Sequence, residues 1–400
     1  MAATPAAPLT TRTRALAPDL ARGLMLALIA VANVMIYLHG RPYGLRQHIV
    51  EEGLLERVVT AVVVTFVDAR AYPLFAALFG YGLVRIAQRQ AERGRGPREV
   101  RAVLRRRCRW LIAFGLVHAV LGFSGDVLGW YGLLGLVLAA MTGARERTLL
   151  VAAVVWLVPA SAVQGLVYAD PRIRVQRDFL WSYAIENPAV AAGWRLVEWA
   201  STPVGLLSVA SPMLIGMWAA RRRLLETPEQ HLPLLRRTAV LGIAAGVLGG
   251  AGPALATAQV WTPSFPVALL LSWVHILTGV LCGLGYAAAI TLAAHRLRTR
   301  STGPLPGWAQ ALQATGRSSL SWSLAQSVVF VALLPAWTLG LGAVLGTAAA
   351  ALLALITWAG TVLLAARWSR TGRTGPAEAL LRRLTYPPRR TPPPGTEERP

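Results

Sequence analysis

The 400-residue chain has no lysine, only two cysteines, and few charged side chains, which make up 14% of its residues. Soluble domains carry roughly a quarter charged residues, so this chain has too little polar side chain to cover a water-soluble fold. Apolar residues account for 55% of the sequence, and the mean hydropathy is +0.50. So much apolar sequence also excludes a disordered chain. The composition therefore predicts an integral membrane protein.

Common catalytic and metal-binding motifs are also missing from the sequence. It contains no Walker loop, no HExxH pair, no paired CxxC and no nucleophile elbow. Cys108 and Cys282 stand far apart in apolar segments, where packing is their expected role. We therefore predict no metal site and no resident cofactor, apart from an acyl-CoA donor considered below.

All 40 basic residues are arginine, against 18 acidic residues, which gives a formal net charge of +22. Assigned to alternate connections between apolar segments, 32 arginines fall on one side and 8 on the other. This positive-inside pattern explains the charge through membrane topology and predicts no nucleic-acid partner. The densest stretch, with Arg105 and Arg106, contacts anionic lipids on the simplest interpretation, and the alternative is a site for phosphates of a cytosolic donor.

A membrane-spanning helix needs about 20 mostly apolar residues. The sequence predicts an all-α integral membrane protein, a single helical bundle of about ten transmembrane helices with both termini cytoplasmic. Leu54–Val67 is apolar but short and is closed by Asp68, which predicts an interfacial or half-inserted helix. The ten predicted spans are Leu20–Leu38, Ala71–Gln88, Arg109–Phe123, Asp126–Met141, Arg147–Tyr168, Ala200–Ala219, Leu234–Ala256, Val267–Ala293, Ser318–Trp337 and Gly340–Ala366.

The chain divides into an N-terminal membrane half, residues 17–168, and a C-terminal membrane half, residues 200–386. An outer interfacial segment, residues 169–199, joins them. Residues 1–16 and 387–400 are predicted to be disordered. No small-residue cleavage site follows the first apolar run, so we expect it to stay as an anchor in a bacterial plasma membrane.

Polar residues on the first span form one stripe. Arg22 follows Asp19 by three residues, a spacing that lets the two side chains pair on one helix face. Asn33 lies eleven residues after Arg22, on the same stripe and about 16 Å further along the axis. Ionisable groups in a membrane are costly, so this stripe either stabilises helix contacts at the inner membrane edge or binds a ligand.

His118 lies near the end of the third span, and Asp126 opens the fourth after a short turn. A hairpin would bring the imidazole and the carboxylate together near the outer surface, as in a general base with its orienting group. The alternative is that Asp126 caps its helix while His118 bonds a carbonyl. Tyr131 lies within two turns of Asp126, facing either the same cavity or the bundle core.

Three further polar positions are candidate substrate-binding groups. His39 ends the first span, and Asp68 precedes the second. Gln326 lies on a polar stripe of the ninth span with Ser319 and Ser323. Each position also has a structural interpretation, as interfacial charge or as a hydrogen bond between helices.

Several patches spread over nearly the whole chain occur in a recognisable order. They are Asp19–Gly23 with Asn33, Pro73–Gly82, Gly115–His118, Gly125–Tyr131, Gly316–Ser327 and Gly375–Tyr386. Together they resemble the YeiB-like family of bacterial multi-pass membrane proteins, a domain of unknown function.

That family is in turn similar to the transmembrane acyltransferases, which include polysaccharide O-acylating enzymes and the lysosomal heparan-glucosaminide N-acetyltransferase. The shared feature is an acidic residue, then Arg-Gly opening the first helix, then a polar residue eleven positions after the Arg. The polysaccharide branch has His at that position, whereas this chain has Asn33, as the glucosaminide branch does, with His39 as a loose counterpart of its later His. The resemblance implies a cytosolic acyl-CoA donor. We expect Arg22 to bind it, together with Arg105, Arg106 and Arg107.

Two classes of function follow from these residues. In an acyltransferase, His118 is the general base and Asp126 orients it, with an extracytoplasmic acceptor beside them. In a transporter or exporter of a small molecule or envelope precursor, the same polar groups line an alternating-access path. A transferase requires a continuous tunnel from Arg22 to His118, and a transporter requires a midplane cavity and broken helices. In both classes the candidate substrate-binding residues are Asn33, His39, Asp68, Tyr131 and Gln326.

Overall fold

A computed structural model describes residues 16–301 and 303–386 of the chain. These residues fold as α-helices, and within the described ranges only isolated bridges, Tyr43 to Ile49 and Tyr43 to Arg174, have β-pairing. The helices are α1 (Leu16–Val34), α2 (Leu54–Phe66), α3 (Ala71–Ala91), α4 (Pro97–Leu121), α5 (Leu128–Leu138), α6 (Glu146–Val167), α7 (Pro188–Ser201), α8 (Ala210–Arg221), α9 (Leu232–Thr257), α10 (Phe265–Arg300), α11 (Gly307–Arg317), α12 (Ser319–Leu333), α13 (Thr347–Ser369) and α14 (Pro376–Thr385).

Of the two segments predicted to be disordered, residues 1–15 and 387–400 lie outside the described residues. Leu16, the last residue of the first of these segments, is the first residue of α1.

Six helical stretches in the described part of the chain are long and apolar enough to cross a membrane. A bent pair, Pro188–Val204 and Leu207–Arg221, would make a seventh, with an angle of 55° between its arms. The stretches Leu128–Gly143 and Ser319–Leu333 are apolar but shorter. The all-helical prediction is therefore confirmed for the described residues, and the six apolar stretches support a membrane protein. The ten spans and their topology stay predictions. The six stretches are Leu16–Tyr37, Leu54–Ala91, Glu146–Val167, Leu232–Thr257, Phe265–Arg300 and Thr347–Ser369.

Most of the segment predicted to be an interfacial or half-inserted helix, Leu54–Val67, forms α2, which packs along α9. Near the start of α2, Arg57 donates hydrogen bonds of 2.6 Å to the carbonyls of Ala258 and Gln259, just after α9 ends. At the other end of α2, the Phe66 carbonyl accepts a 2.9 Å bond from the Tyr286 hydroxyl of α10. α2 and α3 together form one apolar stretch, interrupted only at residues 67–70. The interfacial position of α2 stays a prediction.

α1 contacts five other helices, α3, α10, α11, α12 and α13, and so joins the two predicted halves in one bundle. Its approach to α11 depends on glycine, since a Cβ on Gly316 would lie 1.8 Å from the carbonyl oxygen of Asp19. This contact brings Arg317 to 3.6 Å from the Asp19 carboxylate, which also lies 3.5 Å from Arg22. The Asp19 carboxylate therefore pairs with an arginine from each helix.

Candidate functional site

A single cavity of about 1630 Å³ follows α1 along its length. Asp19 and Arg22 line it near the start of α1, and Asn33 and Ile36 line it at the other end. Asp19 and Ile36 are separated by roughly 26 Å at the rise of an α-helix, which approaches the ~30 Å thickness of the hydrocarbon core of a bilayer. The cavity therefore connects the two ends of the first candidate span.

Three side chains form a hydrogen-bonded series on the wall of this cavity. His118 Nδ1 lies 2.8 Å from Asp126 Oδ1, and His118 Nε2 lies 2.9 Å from Ser327 Oγ. All three residues line the cavity. The imidazole is 16% exposed, whereas the Asp126 side chain and Ser327 are buried at 3% and 6%.

The carboxylate of Asp126 determines which imidazole nitrogen carries the proton. An ionised carboxylate only accepts hydrogen bonds, so the neutral imidazole of His118 holds its hydrogen on Nδ1. Nε2 is then an acceptor for the Ser327 hydroxyl. The second oxygen of Asp126 accepts a 2.8 Å bond from the backbone N–H of Gly129. Asp126 therefore both caps α5 and orients His118. The sequence leaves these two roles of Asp126 as alternatives, and the structure shows both.

A glycine in α4 permits the close approach that brings these groups together. A Cβ on Gly115 would lie 2.3 Å from the backbone nitrogen of Gly129 and 2.4 Å from Asp126 Oδ2. Gly115 also precedes His118 by three residues, so it lies on the same side of α4. The Gly115–His118 patch therefore supplies both the imidazole of His118 and, at Gly115, the space that the carboxylate of Asp126 occupies.

We expect the Gly115→Ala substitution to separate α4 from α5 and to lower the free energy of unfolding by about 1–3 kcal/mol, the usual cost of overpacking. Gly360→Ala in α13 is the matched control, because a Cβ there would meet no atom within 4 Å. Thermal unfolding in detergent, followed by tryptophan fluorescence, measures both. Equal stability of the two variants would contradict the proposed role of Gly115.

The end of the cavity at Asp19 is strongly basic. Nine arginines line it, together with four acidic residues: Asp19, Glu92, Glu226 and Glu378. The excess positive charge favours an anionic ligand. The arginines are Arg22, Arg85, Arg89, Arg93, Arg107, Arg223, Arg298, Arg317 and Arg382.

Of the predicted donor-binding arginines of α4, neither Arg105 nor Arg106 lines this cavity. Arg105 is exposed, and Arg106 donates a 3.5 Å hydrogen bond to the carbonyl of Thr385 in α14. The third predicted arginine of α4, Arg107, lines the cavity. The helical repeat explains the difference, because Arg107 precedes His118 by eleven residues and so shares its stripe.

Asp68 lies in the interruption between α2 and α3, within a cluster of cationic and imidazole groups. Arg46 Nε donates a 2.7 Å hydrogen bond to its carboxylate, and ring nitrogens of His48 and His275 lie 3.7 and 3.9 Å away. The fully buried Arg70 donates to the Asp68 carbonyl at 2.7 Å. Burial alone would lower the pKa of Arg46, but the carboxylate of Asp68 raises that pKa above its ordinary value. Asp68 is thus a charge-paired group facing the cavity.

Two of the five substrate-binding candidates, Asn33 and Asp68, line the cavity. Asn33 is half-buried, and no described residue makes a hydrogen bond with its side chain. Its amide is therefore available to a molecule inside the cavity.

The other three candidates do not line the cavity, and each makes a hydrogen bond within the protein. Burial lowers the pKa of His39 below its ordinary value, so its imidazole is neutral and bonds a carbonyl. These contacts favour the structural interpretation of all three. They are His39 Nε2 to the Leu334 carbonyl at 3.2 Å, the Tyr131 hydroxyl to the Tyr72 carbonyl at 2.7 Å, and Gln326 Nε2 to Thr361 Oγ1 at 3.3 Å.

Sequence reasoning did not select Ser327 as a site residue, although it lies four residues after Ser323 on the predicted polar stripe. Its partner His118 is 209 residues away in the chain. The stripe indicated the correct helix. The contact between α12 and α4 is tertiary, and the sequence pattern of α12 alone does not predict it.

Comparisons with known proteins show similarity to uncharacterised proteins. Residues 219–388 match a family described as a protein of unknown function, DUF418. The chain is 26% identical over 352 residues to the Uncharacterized protein YxaH of Bacillus subtilis (strain 168), covering 80% of each chain. No solved structure matches. The DUF418 match contains Ser327, whereas His118 and Asp126 precede it.

Proposed function

We propose that the chain crosses a bacterial plasma membrane ten times, with both termini in the cytoplasm. The six long apolar stretches would supply six crossings, and α4, α5, α8 and α12 the other four. The 32-to-8 distribution of arginine supports this topology. The basic end of the cavity then faces the cytoplasm, and His118 lies toward the outer side. Residues 17–168 and 200–386 form the two membrane halves, joined by the outer segment 169–199.

Cysteine labelling in intact cells tests this topology. Val260, which is 62% exposed after α9, is expected outside, and Ala91, exposed at the end of α3, is expected inside. A membrane-impermeant maleimide should label the Val260→Cys variant in intact cells, and the Ala91→Cys variant only after permeabilisation. The native Cys108 and Cys282 are buried and provide the background measurement. Labelling of Ala91→Cys in intact cells would overturn the topology.

We further propose that the protein transfers an acyl group from cytosolic acyl-CoA to an extracytoplasmic hydroxyl or amine. The observation that carries this proposal is that one cavity is lined both by the arginine-rich end and by the His118–Asp126 pair. The resemblance to the YeiB-like family and to transmembrane acyltransferases supports the same activity.

In this proposal, the arginines would bind the phosphates of CoA, and the thioester arm would extend along the stripe from Arg22 to Asn33. These two residues are about 16 Å apart along the helix axis. His118 Nε2 would accept a proton at the far end, and Asp126 would stabilise the resulting imidazolium. Anionic lipids would contact the exposed arginines of the cytoplasmic loops, including Arg105.

Binding of CoA tests the donor site. Hydrogen bonds to charged groups contribute roughly 1.5–3 kcal/mol, so Arg107→Ala should raise the Kd for CoA about tenfold or more. The matched control is Arg105→Ala, two residues away and exposed outside the cavity. Calorimetric titration of the purified protein with CoA measures both. Equal Kd values for the two variants, or no binding by the wild type, would contradict the donor site.

A transporter is the second candidate function, and the interruption between α2 and α3 favours it. Ala69 in this interruption has a φ of 60°, and the adjacent Asp68 faces the cavity. Broken helices with charged groups near the membrane midplane are typical of secondary transporters. A transporter needs no proton acceptor beside a nucleophile, however, so it leaves the His118–Asp126–Ser327 series without a role.

A further inference from the structure

The hydroxyl of Ser327 has a choice of two hydrogen-bond acceptors. His118 Nε2 lies 2.9 Å from Ser327 Oγ, and the carbonyl of Ser323, one turn earlier in α12, lies 3.3 Å away. A hydroxyl has a single hydrogen. Since Asp126 keeps the imidazole hydrogen on Nδ1, the unprotonated Nε2 is free to accept the hydrogen of Ser327 over the shorter distance.

A serine that serves only helix packing does not require this arrangement. The bond to the carbonyl four residues earlier satisfies a buried hydroxyl by itself, as is common in membrane helices. Here the hydroxyl also contacts an imidazole oriented by a carboxylate, and all three groups line the cavity. A nucleophile, a base and an orienting acid in hydrogen-bond series characterise activated serine.

The position of Ser327 also affects how an acceptor could react. His118 Nε2 already faces the Ser327 hydroxyl, so an external hydroxyl or amine would have to displace that hydrogen bond to reach the base. The proton nearest to the base in the described structure is therefore that of Ser327. The geometry favours Ser327 as the first group that His118 deprotonates.

We propose that Ser327 Oγ is the nucleophile that receives the acyl group, so that transfer proceeds through an ester on Ser327. This inference rests on the proposed acyltransferase function and adds a covalent step to it. Ser327 Oγ attacks the thioester carbonyl carbon while His118 Nε2 takes the hydroxyl proton. The carbon–sulfur bond then breaks, and the CoA sulfur leaves with the proton from His118.

The second step reverses the roles of the same groups. An acceptor hydroxyl or amine attacks the ester carbonyl and gives its proton to His118 Nε2. The bond between the acyl carbon and Ser327 Oγ breaks, and Ser327 Oγ recovers the proton. CoA can therefore leave before the acceptor enters, which suits a cavity that the two substrates reach from opposite ends.

Incubation of the purified full-length protein with radiolabelled acetyl-CoA and no acceptor tests the proposal. After an acid quench, we expect label on the peptide that contains Ser327, with about one CoA thiol released per labelled protein. Ser327→Ala should carry no label. Ser272→Ala in α10, a buried serine that bonds the Tyr168 carbonyl and does not itself line the cavity, should be labelled like the wild type.

The Ser327→Cys variant keeps a nucleophile at the same position, and it covers the case in which Ser327→Ala does not fold. Its label should become a thioester that neutral hydroxylamine removes, whereas the ester on Ser327 resists the same treatment. The wild type and Ser327→Ala could both bind and turn over acetyl-CoA without any labelled protein. That result would refute the serine ester and would indicate direct transfer from CoA to the acceptor. If acetyl-CoA neither binds nor is turned over, the acyltransferase function itself fails.

Discussion

The Asp126→Asn variant is expected to turn over acetyl-CoA about 10²–10⁴-fold more slowly than the wild type, the range associated with loss of a positioned general base. The substitution keeps the size of the side chain, and the amide oxygen can still accept the bond from Gly129. The amide NH₂ would then face His118 Nδ1 and force the imidazole hydrogen onto Nε2. Nε2 could no longer take a proton from Ser327.

Release of CoA thiol from acetyl-CoA, with ethanolamine as a small acceptor, measures this effect above the uncatalysed background. The matched control is Asp170→Asn, whose carboxylate pairs with Arg172 and Arg174 outside the cavity. We expect the control to keep the wild-type rate and both variants to keep the wild-type melting temperature. A wild-type rate in Asp126→Asn would remove the base-orienting role of this carboxylate.

The Glu378→Ala variant is expected to lose about 3 kcal/mol of stability, because one carboxylate satisfies several groups at the start of α12. Glu378 Oε1 accepts hydrogen bonds from the backbone nitrogens of Leu320 at 2.6 Å and Ser321 at 3.3 Å. Its other oxygen accepts from the Ser321 hydroxyl. Hydrogen bonds to charged groups contribute roughly 1.5–3 kcal/mol, and a lost helix cap costs about 1 kcal/mol.

The binding is reciprocal, since Ser318 Oγ and Ser321 Oγ accept 3.0 Å bonds from the backbone nitrogens of Gly375 and Ala377 at the start of α14. α14 thus fixes the helix that carries Ser327. Thermal unfolding in detergent should show a large loss for Glu378→Ala, a smaller loss for Glu378→Gln, and none for the exposed control Glu229→Ala. Equal melting temperatures for all three would contradict the capping role.

Sequence reasoning was most successful where the deciding interactions are local. The apolar runs indicated the helices, and the proximity of His118 to Asp126 follows from eight residues of chain around a tight turn. The stripe from Arg22 to Asn33 follows from the helical repeat, and both residues line the cavity. The same repeat, applied backward from His118, selects Arg107 among the three predicted donor-binding arginines of α4.

Long-range packing set the limits of the prediction. The polar stripe of α12 indicated which face of this helix packs inside the protein. It could not decide between the adjacent residues Gln326 and Ser327, because the rotation of α12 relative to α4 determines which of them reaches the imidazole of His118. Similarly, a short apolar run such as α2 has no internal sign that its Arg57 finds carbonyls about 200 residues away. Such contacts depend on helices that are distant in the chain.

Photo-cross-linking tests the central claim most directly, because it requires no knowledge of the acceptor. A CoA thioester with a diazirine in its acyl group is bound to the purified protein, and the complex is irradiated. Mass spectrometry then identifies the cross-linked peptides. Our account predicts cross-links in Gly115–Tyr131 and Ser323–Ser327 that an excess of CoA abolishes. Cross-links confined to lipid-facing helix surfaces, or unaffected by CoA, would contradict a cavity that carries the acyl group from the arginine-rich end to His118.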